Sequence, residues 1–434
     1  MVATLAYSTF RLDRSYRRVE WALYLAESDG SRRQRLVAER DWTTFAWAPN
    51  GQQLAYIAAP DPQDAAAAGL YVVMADGSHP RRVASDPHLH TVWWSPDSRL
   101  LAFITKRSEG SADRVPLAHL SVIGADGSNP RRLASDLSLY FPAWSPDSRH
   151  LALLSSPHPA AQAMSTLWLL AADGADARRL IEGDGDLRAL CWLADSRRLS
   201  VMRYRGGDTL MYLVDGVTGA LDRFGPIRES VWSPDTSSVA YVVMPDENED
   251  ASAVYITDAE RHGIRHWTFA GRPDLSLALW SPDGQRLALP VDEHLSVFEM
   301  RGAHSGPLAE LYWDTEFTWS PDGSMIAFIG MLDEPSDEAP DSGAALEVID
   351  VVRQQRRVLA RDVQIVETVP DTPLWSPDGR QIAFTAFADD GTEDVCVIDA
   401  DGTNRRPLSQ SAPEDFIDVL VWRPDPRQPS RSGG

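Results

Sequence analysis

The sequence repeats one phrase, and the repeat limits the fold more than any other feature. "WSPDSRLLAF" begins at Trp94 and "WSPDGRQIAF" at Trp375. Variants begin at Trp47, Trp144, Trp192, Trp232, Trp280 and Trp319, and a shortened copy, "WRPDP", begins at Trp422. Successive copies lie 47, 50, 48, 40, 48, 39, 56 and 47 residues apart. A period near 47 belongs to repeat architectures in which each unit buries its faces against its neighbours.

The chemistry of the phrase says what each unit is. Ser, Pro and Gly in Trp-Ser-Pro-Asp-Gly suit the first, second and fourth places of a tight type I turn. The Leu-Ala-Phe triplet that follows starts a buried strand. A second apolar run ends in Asp-Gly, as in "LYVVMADGS" (70–78), "LSVIGADGS" (120–128) and "VCVIDADGT" (395–403). Asp-Gly after a strand marks a hairpin. A fourth short strand follows, as in "PRRVA" (80–84). Each unit is therefore predicted to be four antiparallel strands, a to d, with a ending at the tryptophan. No useful length of helical periodicity is present. The predicted class is all-β, a closed β-propeller.

The ends of the chain complement each other. "VLVWRPD" (419–425) supplies a strand a without its b partner, while "LAY" (Leu5 to Tyr7) supplies a b strand without a preceding Trp-Ser-Pro-Asp. Runs 21–30 and 33–39 supply c and d. Joined, the ends make a ninth blade. Eight is the count if the first forty residues pack elsewhere. The domain expected is one propeller over 1–425, with 426–434 a disordered polar tail.

The pattern "WSPDGxxIAF…DADGxxxRRL" resembles the TolB-like propeller repeat, and also the propellers of prolyl-oligopeptidase-type peptidases, over essentially the whole chain. The resemblance implies a scaffold, gate or docking platform. TolB itself carries an extra α/β domain and the peptidases a hydrolase domain with a Gly-x-Ser-x-Gly elbow. Neither is visible here; the nearest match to the elbow, "GAHSG" (302–306), has His304 at its centre.

Function is expected in the connections. In a four-stranded blade the b–c and d–a loops share one face, and the a–b and c–d turns share the other. The turns are short; the loops are long, varied and often acidic. Asp333, Glu334, Asp337 and Glu338 lie in one loop, Asp389 and Asp390 in another with Glu393 and Asp394 following, and Glu414, Asp415 and Asp418 before the last tryptophan. These mark the expected partner-binding face. Arg pairs fall on the d strands instead, where they deter edge pairing.

The formal net charge is −22, which disfavours nucleic acid or an anionic membrane as partner and favours a basic protein surface. Asp246, Asn248 and Asp250 share the opening spacing of a calcium loop, but Ala251 and Thr257 stand where Gly and Glu are expected. His88 and His90 are half of a metal site at most. No other cofactor is implied. Lys106 is the only lysine, which suggests a GC-rich bacterial genome and leaves little scope for lysine chemistry. The two cysteines build neither a disulfide framework nor a zinc motif. The N-terminus has no basic or long apolar leader, so the expected setting is cytoplasmic, and the expected state monomeric. The reading is a non-catalytic scaffold that binds a basic protein through its acidic loop face. The alternatives are a metal-assisted lyase or hydrolase with its site at the channel mouth, or a detached propeller that docks a separate hydrolase.

Overall fold

The computed structural model describes residues 2–12, 18–39, 44–58, 68–107, 117–156, 165–182, 185–243, 252–269, 273–300, 304–311, 315–331, 344–363, 373–387, 392–409 and 415–425. Five separate four-stranded sheets, a seven-stranded sheet and an eight-stranded sheet make nine blades. The seven-stranded sheet holds two blades because one strand, Arg131–Trp144, serves as d of blade 2 and then as a of blade 3. The eight-stranded sheet joins blades 7 and 8 through a single pairing, Val363 with Ala386. Apart from the seam that joins the chain ends, every other step within a blade is an antiparallel hairpin.

The ring closes as the chain ends suggested. Strand Asp415–Trp422 pairs with Thr4–Leu12, which pairs with Arg18–Glu27 and then Arg33–Glu39. The seam register runs from Leu5 opposite Trp422 to Arg11 opposite Asp415, with a bulge at Ser8 and Thr9. Blade 9 is thus three strands from one end of the chain and one from the other.

Neighbouring blades pack apolar faces, and three sets of hydrogen bonds tie them as well. The innermost uses the motif tryptophans. All are buried except Trp232, which is half-buried. The indole N–H of Trp94 donates to the carbonyl of Ala46, of Trp192 to Ala143, of Trp280 to Val231, of Trp319 to Leu279 and of Trp422 to Leu374, all at 2.9–3.1 Å. Each acceptor is the residue before the preceding blade's tryptophan. Trp47 repeats the bond across the seam, to Val421 at 3.4 Å. Trp144, Trp232 and Trp375 do not make it.

The second set lies in the turns. Ser95 Oγ donates to Asp97 Oδ1 at 2.6 Å and accepts the Leu100 N–H, while Asp97 Oδ1 accepts the Arg99 N–H. The same bonds recur at Ser145, Ser233, Ser281, Ser320 and Ser376. The residue after the Asp sits in the left-handed region, as in Ser98 (φ 62°), Ser148 (62°), Thr236 (53°) and Gly379 (70°). Glycine is the easy choice there. Serine and threonine use the position differently, for their hydroxyls accept an N–H from the preceding blade's turn. Asn50 donates to Ser98, Asp97 to Ser148, Asp147 to Ser196 and Ala194 to Thr236.

This comparison predicts the behaviour of the glycine turns. A Cβ on Gly379 would meet Pro321 Cδ at 3.5 Å, an ordinary contact. Gly379→Ala should cost about 1 kcal/mol, because it keeps the left-handed strain and gains nothing. Gly379→Ser should recover most of that through a bond from the Asp322 N–H worth about 1 kcal/mol. Urea melts of both variants check this; equal losses would show that the bond does not form.

The third set is the rim. Arg81 donates to the Ala125 carbonyl at 2.8 Å, Arg131 to Ala172 at 2.9 Å and Arg178 to Val217 at 3.0 Å, each reaching the next blade's c–d turn. Arg406 reaches Ser28 across the blade 8–9 junction at 2.7 Å. So Arg pairs are more than edge protection: one member of several pairs laces the ring. A planar guanidinium on a long stem can pack along the sheet and still reach a carbonyl.

Candidate functional site

Antiparallel order places the loop face at the start of every a strand. In blades 4 and 6 the b–c connection needs only two residues, Gly206–Gly207 and Asp292–Glu293. Elsewhere it is longer: twelve residues separate Met331 from Ala344, and nine separate Val242 from Ser252.

Most of the expected site residues lie in those connections. Asp333, Glu334, Asp337, Glu338, Asp389, Asp390 and Glu414 lie outside the described residues, as do Asp246, Asn248 and Asp250. Asp415 opens the closing strand, and its side chain is likewise outside them. His88 stands in a turn before strand Leu89–Trp94, so strand alternation does not align it with His90. His90 Nδ1 is 2.6 Å from Thr91 Oγ1, and its Nε2 is 3.3 Å from Lys106 Nζ. Burial, and then the Lys106 ammonium, make this imidazole less basic than usual. Among the described residues no three His, Cys, Asp or Glu side chains are grouped to hold a metal.

Three further acids read as loop residues belong, like Asp415, to strands. Glu393 and Asp394 open strand Glu393–Asp399, and Glu393 is buried, accepting the Ile417 N–H at 3.3 Å. Asp418 lies inside the closing strand, buried at its bulge, and accepts from Ser8 Oγ at 3.4 Å and Trp21 Nε1 at 3.3 Å. The apolar residues on both sides of it, "DFIDVLVW" (415–422), carried that signal. Glu393 and Asp418 brace the seam.

No family profile matches the chain. Dipeptidyl-peptidase 5 of Porphyromonas gingivalis is 20% identical over 280 residues, which are 61% of this chain and 40% of that protein. The chain thus spans about two fifths of the length of this curated relative. TolB from Acinetobacter baumannii aligns over 74% of this chain and 83% of its own, at 17% identity and a TM-score of 0.33. A eukaryotic initiation factor superposes over 98% of this chain and 99% of its own, with a TM-score of 0.61 at 12% identity. The fold is a nine-bladed β-propeller. At such identities the likeness is one of fold.

Within the propeller, chemistry at the loop face that the repeat did not reveal gathers between blades 4 and 5. Strand Asp186–Trp192 carries Asp186 and Arg188 there, strand Arg198–Arg205 carries Tyr204, and Glu229 opens the next inner strand with Arg228 in the bend before it. Arg188 Nε is 2.7 Å from Asp186 Oδ2, and Arg228 Nε is 3.2 Å from Glu229 Oε1. Tyr204 is half-buried, and burial raises its phenol above the usual value. The cysteines lie deeper: burial pushes both Cys191 and Cys396 up to about 11, so neither is a ready nucleophile.

Proposed function

We propose that the propeller is a binding platform whose acidic loop face docks a protein partner with a basic surface. One observation carries the reading. Blades 4 and 6 show that this fold closes b to c with two residues, so the longer connections exceed what folding needs. The turn face, by contrast, spends its polar groups on the inter-blade bonds. The longer connections of blades 5, 7 and 8 hold Asp246, Glu247, Glu249 and Asp250, then Asp333, Glu334, Asp337, Glu338 and Asp341, then Asp389 and Asp390, with no Lys or Arg among them. These blades are consecutive in the ring with blade 6, whose short turn is Asp292–Glu293. Acid therefore occupies one arc.

The test is kinetic. With a partner captured from the native organism, association should slow steeply with salt, since charge steering is screened beyond roughly 8 Å at physiological ionic strength. Changing Asp333, Glu334, Asp337 and Glu338 together to Asn and Gln should lower the on-rate about tenfold and leave the melting temperature unchanged. Binding that ignores both salt and the substitutions would rule the reading out. The likeness to a peptidase over 40% of its length favours a second reading of the partner, a separately encoded hydrolase docked on the propeller.

A further inference from the structure

We propose that the outer rim between blades 4 and 5, on the turn face, is a docking pocket that takes an aromatic side chain of a partner protein. The pocket exists because blade 4 departs from the repeat. In a regular blade one c-strand residue pairs with the motif alanine, or with Ser200 in blade 4, and on its other side with one residue of strand d. That d-strand residue is arginine in blades 1, 2, 3, 5, 7 and 8 and Gln34 in blade 9. In blade 6 a bulge falls there. In blade 4 it is Asp222. The lacing arginines Arg81, Arg131, Arg178 and Arg406 hold this position, and their long side chains cross the junction to the next blade. The short Asp222 leaves that space open. The tie runs backward instead: Arg261, in the c–d turn of blade 5, donates to the Arg223 carbonyl at 2.9 Å and to Asp222 Oδ2 at 2.5 Å.

The space left is an open pocket of about 340 Å³, a size that small ligand sites share. Its apolar wall is Leu213, Ala220, Leu221 and Ala259, of which Leu213 and Ala259 are buried. Its charged wall is Arg198 and Arg261 with their own carboxylates. Arg198 gives Nε to Asp195 and Nη1 to Glu260, both at 2.7 Å. Arg261 gives its two terminal nitrogens to the Arg223 carbonyl and Asp222. Asp215 is held by Arg197 at 2.7 Å. Most in-plane donors are therefore engaged, and every carboxylate of the wall is paired with an arginine. A charged ligand would have to displace a partner already in place. What a guanidinium bound at its edge still offers is its flat face, which attracts an aromatic ring. Arg261 already makes that contact within the chain, for its guanidinium carbon lies 5.3 Å from the centre of the Phe224 ring. Both arginines reach solvent, with side chains 33% and 38% exposed.

Two features point to a protein side chain as the occupant. The first is the apolar lip. Leu221 is 47% exposed at the edge of the pocket, and Val217, in the turn between Asp215 and Ala220, is 63% exposed. Arg178 holds the Val217 carbonyl, which fixes that turn. A free aromatic compound fills the pocket and leaves both residues in water; a polypeptide that carries the ring covers them as well. Aromatic anchors seated among apolar contacts and arginine are where interface energy concentrates. The second is charge. The chain carries a net −22, yet the charges of this wall are matched in pairs. That suits an uncharged residue and not the basic surface proposed for the loop face.

The pocket does not depend on the acidic arc, and its test is separate. Ligand-observed NMR titration of the full chain uses three probes: the peptide acetyl-Ser-Leu-Trp-Leu-Ser-amide, the same peptide with Ala for Trp, and indole alone. The tryptophan peptide should bind about tenfold more tightly than either of the others, with an affinity that added salt leaves unchanged. Asp222→Arg restores the arginine of the repeat, and Ala220→Phe plugs the pocket from the other wall. Each should weaken the tryptophan peptide about tenfold or more, with melting temperatures within a few degrees of the parent. Two variants on different walls keep the test open if one of them folds poorly. Absence of binding by the tryptophan peptide, equal binding of its alanine counterpart, or an affinity that both substitutions leave unchanged would overturn the proposal. So would an affinity that salt abolishes, which would place the peptide on the charged groups. Indole binding as tightly as the peptide would assign the pocket to a small aromatic compound instead, and overturn docking.

Discussion

Trp319→Ala should lower unfolding free energy by about 3–5 kcal/mol, the cost of emptying a large buried aromatic site. The indole is 4% exposed, packs with Phe317, Ile326 and Phe328, and donates to the Leu279 carbonyl of the preceding blade at 2.9 Å. Trp319→Phe separates packing from the hydrogen bond and should cost about 1–2 kcal/mol. Trp375 is the control: equally buried, it lacks the inter-blade bond. Its change to Phe should cost about 1 kcal/mol less than the same change at Trp319. Guanidinium melts measure all three. A loss under about 1 kcal/mol for Trp319→Ala would mean that the blades do not pack through this residue.

Deleting residues 416–434 should leave no stable monomer. The deletion removes the inner strand of blade 9, the Trp422 bond to blade 8, the carbonyl of Val421 that Trp47 uses and the Asp418 brace. It also strips strand Thr4–Leu12 of its inner partner and exposes a backbone edge beside an opened core. Size-exclusion chromatography should show aggregate, and circular dichroism a melt lost or broadened. Deleting only 426–434 should change neither. A truncated chain without 416–434 that melts like the parent would contradict closure through this strand. Gly51 shows how tightly the seam fits: a Cβ there would lie 2.3 Å from the Pro424 carbonyl oxygen, and the residue has φ 64°.

The ring was legible in the sequence because the phrase repeats its physics. A buried tryptophan, a Ser-Pro-Asp turn and an apolar triplet recur in the same order, so strand order and closure followed from counting. The lacing was harder to see. Ser98 and Ser148 stand where other copies of the phrase have glycine, yet their hydroxyls bond to a neighbouring blade about fifty positions away. Asp418 read as one more loop acid, because net charge does not tell a solvated carboxylate from one held by Ser8 and Trp21.

Lys106 has a practical consequence for any binding experiment. It is the chain's one lysine, at the loop end of strand Leu100–Arg107 beside His90. Apart from the α-amino group, it is the only amine that an activated-ester surface or dye can capture. A sensor chip coupled through amines would therefore hold much of the protein by the loop face and present the turn face to the analyte. Docking on the acidic arc would then be hindered by the immobilisation chemistry itself. A tag captured through an engineered turn-face cysteine, at Arg99 for example, would orient the ring the other way.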